Sequence, residues 1–121
     1  MPRRPDVPTL RAAAWTARAL WQARRSLRRG GVTGARVAAP PTLPGSAGRG
    51  VHAVLRRSPA TCLERALVLQ RWEAAHGAPA AVVIGVRGPA RGFRAHAWLD
   101  GRADRLSGAY EELARLPPEP R

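Results

Sequence analysis

The chain has 121 residues, which bounds it to one domain of ordinary size, and its single cysteine excludes an intramolecular disulfide. All 21 basic residues are arginine and the net charge is +13. No stretch approaches the roughly 18 apolar residues of a spanning helix, and the N-terminal arginines lack the apolar segment of a secretory signal, so we predict a cytosolic protein.

The positive charge is concentrated in the first half of the chain. Residues 1–61 hold 12 arginines and one acid, Asp6, whereas residues 62–121 hold nine arginines and seven acids. Such an excess suits an acidic polypeptide, a membrane surface or a nucleic acid. The net charge alone does not distinguish between these classes of partner.

The N-terminal region predicts a basic helix followed by a linker. Thr9 is a candidate N-cap, and Gly30-Gly31 would end the helix near Arg29. Residues 32–50 are rich in Pro, Gly, Ala and Ser, as in a loop or linker. Short helical character then returns over residues 51–57. The apolar residues at helical spacing are Leu10, Ala13, Ala14, Ala17, Leu20 and Trp21.

The second half predicts a helix followed by an antiparallel meander. Thr61 and Glu64 form a capping-box pattern for a helix that runs to about His76. Strands follow over residues 81–86 and 93–99, Asp100-Gly101 forms a turn, and residues 103–106 form a short third strand. A last helical segment covers residues 109–116. The fold class is therefore α+β.

Cys62 and His96 are the candidate catalytic pair. Cys62 lies at the start of the predicted helix, where a thiolate is stabilised and the first backbone amides can bind an oxyanion. His96 lies in the second strand, on the side facing away from its apolar residues, where it can act as the base. A lone cysteine is more often a small buried hydrophobe, and the pairing with His96 in this order of elements is what favours catalysis.

The other histidines and tryptophans carry weaker signals. His52 and His76 have no matching context and are predicted to be surface residues. The spacing of cysteine and histidine fits no metal site, and we predict neither a metal nor a cofactor. Trp98 either packs in the core or walls the active site beside His96.

The chain resembles the leader peptidases of lasso-peptide biosynthesis, a transglutaminase-like, microcin-processing family. The resemblance covers residues 51–101 and rests on Cys-Leu-Glu-Arg-Ala-Leu from Cys62 and on Ala-His-Ala-Trp around His96. It implies a papain- or transglutaminase-like core over residues 51–121, with residues 1–50 as an additional basic helix and linker. Cys62 and His96 match the family's nucleophile and base.

The family resemblance also implies partners. Such a cysteine protease cuts the leader from a ribosomally made precursor, with a separate leader-recognition protein, before a lasso cyclase closes the ring. Trp15, Leu20 and Trp21, beside the arginines of the N-terminal helix, are candidates for docking a partner or the acidic leader. Packing of these residues against the core is the alternative.

The third catalytic residue departs from the family pattern. The family's acid lies about twelve residues after the histidine, which in this chain falls at Gly108, beside Ser107. Asp104 would lie diagonally across from His96 in the predicted strand pair and is our choice. Asp100, water or a carbonyl oxygen could orient His96 instead, and loss of the acid could leave an inactive enzyme.

Two other functions fit parts of the sequence. A small arginine-rich nucleic-acid-binding protein would explain the charge, but no nucleic-acid-binding motif is present and the tight patterning surrounds Cys62 and His96. A catalytically silent scaffold with the same fold would hold the recognition protein and cyclase together.

Overall fold

The described residues form two compact units, one up to Ala60 and one from Thr61 onwards. The computed structural model describes residues 6–88, 94–102, 104 and 107–118. Over these residues no helix combines the length and apolarity needed to cross a bilayer. The first unit contains α1 (Val7–Gly30) and α2 (Gly48–Arg57), and the second contains α3 (Cys62–Ala75), β1 (Val82–Arg87), β2 (Arg94–Leu99) and β3 (Glu111–Leu116).

Helix α1 starts earlier than its sequence pattern predicts. Asp6 is the N-cap and accepts a hydrogen bond from the backbone N–H of Thr9 at 2.9 Å, so the prediction of Thr9 as the cap was wrong. Hydrogen bonding to Thr9 lowers the pKa of the Asp6 carboxyl, and the nearby Arg49 lowers it further. The helix ends at Gly30 and is capped by Gly31, whose φ of 63° lies in the left-handed region that glycine tolerates; this end was predicted from the Gly30-Gly31 pair.

The apolar face predicted for α1 was only partly correct, since Leu20 is the one predicted position that is buried. Leu10 and Trp21 are 54% and 57% exposed. The small residues on the opposite side pack on α2, because Gly50 brings the two backbones together: a Cβ on Gly50 would lie 2.2 Å from the carbonyl oxygen of Thr9. The buried residues of α1 are Thr9, Ala12, Trp15, Thr16, Ala19, Leu20 and Ala23.

The Pro/Gly-rich segment after α1 is held against that helix. The indole N–H of Trp15 donates to the carbonyl oxygen of Ala38 at 3.2 Å, and the backbone N–H of Ala38 donates to Gln22 Oε1 at 3.0 Å. Leu43 is buried. The first unit therefore has a small core built from α1, this segment and α2.

Helix α3 begins as the sequence predicts. Thr61 Oγ1 accepts from the backbone N–H of Glu64 at 3.1 Å, and Glu64 Oε1 accepts from the backbone N–H of Thr61 at 3.0 Å, which completes the capping box. Farther along α3, Gln70 Nε2 donates to the carbonyl oxygens of Ala80 and Leu116, both at 2.9 Å. These two hydrogen bonds fix the helix to the segment before β1 and to the end of β3. The helix also packs on β1 and β2.

The sheet confirms the α+β class but differs from the predicted meander. Within the described residues it has three strands in the order β2-β1-β3, with both pairs antiparallel. The residues predicted as a last helix form β3, so that prediction was wrong. Of the predicted third strand, Asp104 belongs to no strand, and residues 103, 105 and 106 lie outside the described part, as does Phe93.

Candidate active site

Cys62 is the first residue of α3, and it is exposed. Some of the backbone amides around it already have hydrogen-bond acceptors. Those of Thr61 and Glu64 donate within the capping box, and that of Arg65 donates to the carbonyl oxygen of Thr61 at 3.0 Å. Amides at the first two helical positions have no intrahelical acceptor. The amides of Cys62 and Leu63 are thus placed to donate to an anion beside the sulfur.

His96 lies in the middle of β2 and is joined to Asp104. Its Nε2 is 3.0 Å from Oδ2 and 3.2 Å from Oδ1 of that carboxylate. The two side chains are only 14% and 24% exposed, so their hydrogen bond is partly shielded from water. A carboxylate at Nε2 favours the tautomer that carries its proton there, and the Nδ1 lone pair is then the basic position.

Two aromatic rings lie beside the imidazole. The Trp98 ring lies 5.6 Å from the His96 ring, centroid to centroid, with an interplanar angle of 25°. The Tyr110 ring lies 5.3 Å away at 41°, and the Arg87 guanidinium lies 5.9 Å from the Tyr110 centroid. Trp98 therefore lies beside His96 and not in the core. The sequence reasoning missed Tyr110.

A signal for this aromatic pair was present in the sequence. Gly85 interrupts an otherwise β-branched strand, and an isolated glycine there indicates a bulge or a close approach. In the structure Gly85 is the register partner of His96. The close approach is made by the ring of Trp98 and the Cβ of Tyr110.

Of the three predicted site residues, Cys62, His96 and Asp104, the structure places the last two in direct contact. Asp104 reaches His96, whereas the alternative, Asp100, accepts from Arg115 Nη1 at 2.9 Å. Gly108, at the family's acid position, lies in a short 3₁₀ helix. Cys62 lies on the helix that packs against the strand of His96, and no hydrogen bond joins its sulfur to the imidazole among the described residues. Such catalytic contacts are often long before substrate binds.

The remaining histidines lie apart from this arrangement. His52 is exposed on α2, as predicted. His76, predicted to be a surface residue, is half-buried and packs against Trp72, with ring centroids 4.1 Å apart and an interplanar angle of 32°. In the described ranges no three or more His, Cys, Asp or Glu side chains are grouped to hold a metal ion.

The model of one protein family, the Transglutaminase-like superfamily, matches residues 6–116. The chain belongs to the transglutaminase-like superfamily. This superfamily includes cysteine peptidases. The match includes α1 and α2 as well as Cys62, His96 and Asp104, and so extends beyond the motifs of residues 51–101. No curated protein and no solved structure matches the chain.

Proposed function

We propose that this protein is a cysteine endopeptidase that removes the leader from a ribosomally made lasso-peptide precursor. The observation that carries the catalytic part is the His96–Asp104 pair, on a strand packed against the helix that begins at the exposed Cys62. The carboxylate occupies Nε2 and leaves Nδ1 to exchange a proton with the thiol. Membership of a superfamily with cysteine peptidases supports the same reaction class.

In the first half of the reaction Cys62 is acylated. The thiol gives its proton to His96 Nδ1, and the thiolate attacks the carbonyl carbon of the scissile peptide bond. The amides of Cys62 and Leu63 donate to the resulting oxyanion. As the intermediate collapses, the C–N bond breaks and His96 returns the proton to the leaving amine, which becomes the N-terminus of the core peptide.

In the second half water releases the leader. His96 Nδ1 takes a proton from water, whose oxygen attacks the thioester carbonyl carbon. The C–S bond then breaks, the leader leaves with a free carboxyl group, and the thiol of Cys62 is regenerated with the proton from His96. Asp104 stabilises the imidazolium in both halves.

The substrate class comes from the motifs around the two catalytic residues. The run from Cys62 and the Ala-His-Ala-Trp run resemble those of lasso-peptide leader peptidases. We therefore also propose the partners of that pathway, namely the precursor leader, a separate leader-recognition protein and a lasso cyclase, all in the cytoplasm.

The exposed side of α1 supports the need for a partner. Trp21 and Leu10 are exposed there, whereas Trp15 and Leu20 are buried and unavailable for docking. The Arg25 guanidinium lies 5.3 Å from the centroid of the Trp21 ring. An apolar surface with positive charge suits an acidic polypeptide better than nucleic acid, which is bound chiefly through phosphate contacts. Trp21→Ala should weaken binding to the recognition protein or the leader in a pull-down, and unchanged binding would argue against this surface.

The test is cleavage of a precursor by the purified protein with its recognition protein, followed by mass spectrometry. Cys62→Ala and His96→Ala should abolish release of the leader, because the first removes the nucleophile and the second removes the base that takes its proton. His52→Ala is the matched control, since His52 is exposed on α2, and it should cleave normally. Full cleavage by folded Cys62→Ala or His96→Ala would reject the assignment.

A further inference from the structure

Gly85 leaves a space on the sheet directly beside His96. It is the register partner of His96 across β1 and β2, so a side chain at this position would project from the same face as the imidazole. A Cβ at Gly85 would lie 2.8 Å from the Cβ of Tyr110 and 2.9 Å from two ring carbons of Trp98. The absence of a side chain at Gly85 is what admits both aromatic residues.

A register shift in the neighbouring strand pair accompanies this arrangement. Ile84 pairs with Ala114 while Gly85 pairs with Glu112, so Leu113 is the extra residue of β3. Bulges increase the local twist and redirect side chains, and they occur often beside active sites. Tyr110 immediately precedes this bulged strand, and its side chain lies over Gly85.

The Trp98 and Tyr110 rings restrict rotation of the His96 imidazole, which the Asp104 carboxylate alone does not fix. Asp104 fixes the position of His96 Nε2, but the terminal torsion of a histidine side chain is intrinsically broad. The Trp98 and Tyr110 rings lie beside the imidazole, with centroids 5.6 Å and 5.3 Å away. Rotation of the imidazole would bring it against one of them. Trp98 is on the same strand as His96, whereas Tyr110 comes from a separate segment and adds an independent constraint.

We propose that Tyr110 is a positioning residue for His96: its Cβ lies over Gly85, and its ring holds the imidazole with Nε2 on Asp104 and Nδ1 available to the thiol. The effect on rate rests on the proposed peptidase function. The effect on the imidazole itself does not, because it is a property of the protein without substrate. The described contacts of Tyr110 with His96 and Arg87 are made by its ring.

The experiment compares Tyr110→Leu, which removes the ring, with Tyr110→Phe, which keeps it. Leu113→Ala is the control, since Leu113 lies in the same strand region with its side chain 68% exposed. Long-range ¹H–¹⁵N NMR of the His96 ring reports its tautomer, and His96→Ala identifies its signals among those of the three histidines. Precursor cleavage supplies kcat and KM for each variant.

Tyr110→Leu should shift the His96 signals from the Nε2–H tautomer toward a mixture and lower kcat about tenfold to a hundredfold with KM nearly unchanged. Tyr110→Phe and Leu113→Ala should resemble the wild type in both measurements. Gly85→Ala, which displaces the rings without removing them, should shift the same NMR signals. Unchanged tautomer signals in folded Tyr110→Leu would overturn the proposal. Loss of folding in both Tyr110→Leu and Gly85→Ala would also overturn it, because the aromatic residues would then serve the stability of the fold and not the orientation of His96. If the wild type cleaves nothing, the peptidase function fails while the NMR comparison still decides the role of Tyr110.

Discussion

Replacing Asp104 by alanine removes the carboxylate that lies 3.0 Å from His96 Nε2. A hydrogen bond to a charged group contributes about 1.5–3 kcal/mol, and about 1.36 kcal/mol corresponds to a tenfold change in rate. The pair is 14% and 24% exposed, so water replaces part of the lost interaction and the lower half of that range applies. We therefore expect kcat/KM for leader cleavage to fall about 13-fold to 45-fold in Asp104→Ala. Asp104→Asn keeps an acceptor but loses the charge, and should fall between this variant and the wild type.

The assay is the initial rate of leader release, measured with the recognition protein present and with folding checked by circular dichroism. Asp100→Ala is the matched control, because Asp100 is an aspartate four positions away that binds Arg115 and not His96. Its side chain is 48% exposed, and we expect its kcat/KM to stay within about twofold of wild type. The reasoning is refuted if folded Asp104→Ala cleaves at the wild-type rate, or if Asp100→Ala loses as much activity.

Three further predictions concern stability. Gly50→Ala places a Cβ 2.2 Å from the carbonyl oxygen of Thr9 and should destabilise the fold by about 1–3 kcal/mol in urea unfolding, whereas Gly45→Ala, with open space around it, should not; equal effects would contradict the close helix packing. Thr61→Ala should cost about 1 kcal/mol through loss of the cap while Thr61→Ser retains it, and equal midpoints for the two would argue against the capping box. Because the pKa of Asp6 is lowered in the fold, its stabilising effect is present above the usual value of 3.8 and is lost as the pH falls through the lowered value. The thermal midpoint should therefore drop less on acidification in Asp6→Asn, which caps without titrating, and an identical acid response would contradict this role.

The sequence predicts best what local interactions determine. The start of α3 follows from Thr61 and Glu64, because a capping box needs only residues three apart to bond to each other. The same local signal places Cys62 at the start of the helix. The two strands that pair as β1 and β2 were predicted from their β-branched composition and alternation, and His96 lies on β2 as expected.

Several features that depend on distant partners were missed. Residues 111–116 combine Glu, Leu, Ala and Arg, which favour helix, but pairing with β1 makes them a strand. The buried face of α1 consists mostly of small residues, because Gly50 admits a close backbone approach that a count of large apolar residues does not reveal. Asp104 was predicted to reach His96 from a neighbouring strand; it makes that contact from outside any strand.

Alkylation of Cys62 by iodoacetamide across pH, in the wild type and in His96→Ala, tests the partnership of the two residues most directly. Because the chain contains one cysteine, a single mass increment reports the reaction of that thiol. We predict rapid alkylation of the wild type well below pH 8, and a loss of this reactivity in His96→Ala. Activation by His96 would be contradicted if the wild type were alkylated slowly, with the pH dependence of a free thiol of pKa near 8.5, and if His96→Ala reacted at the same rate.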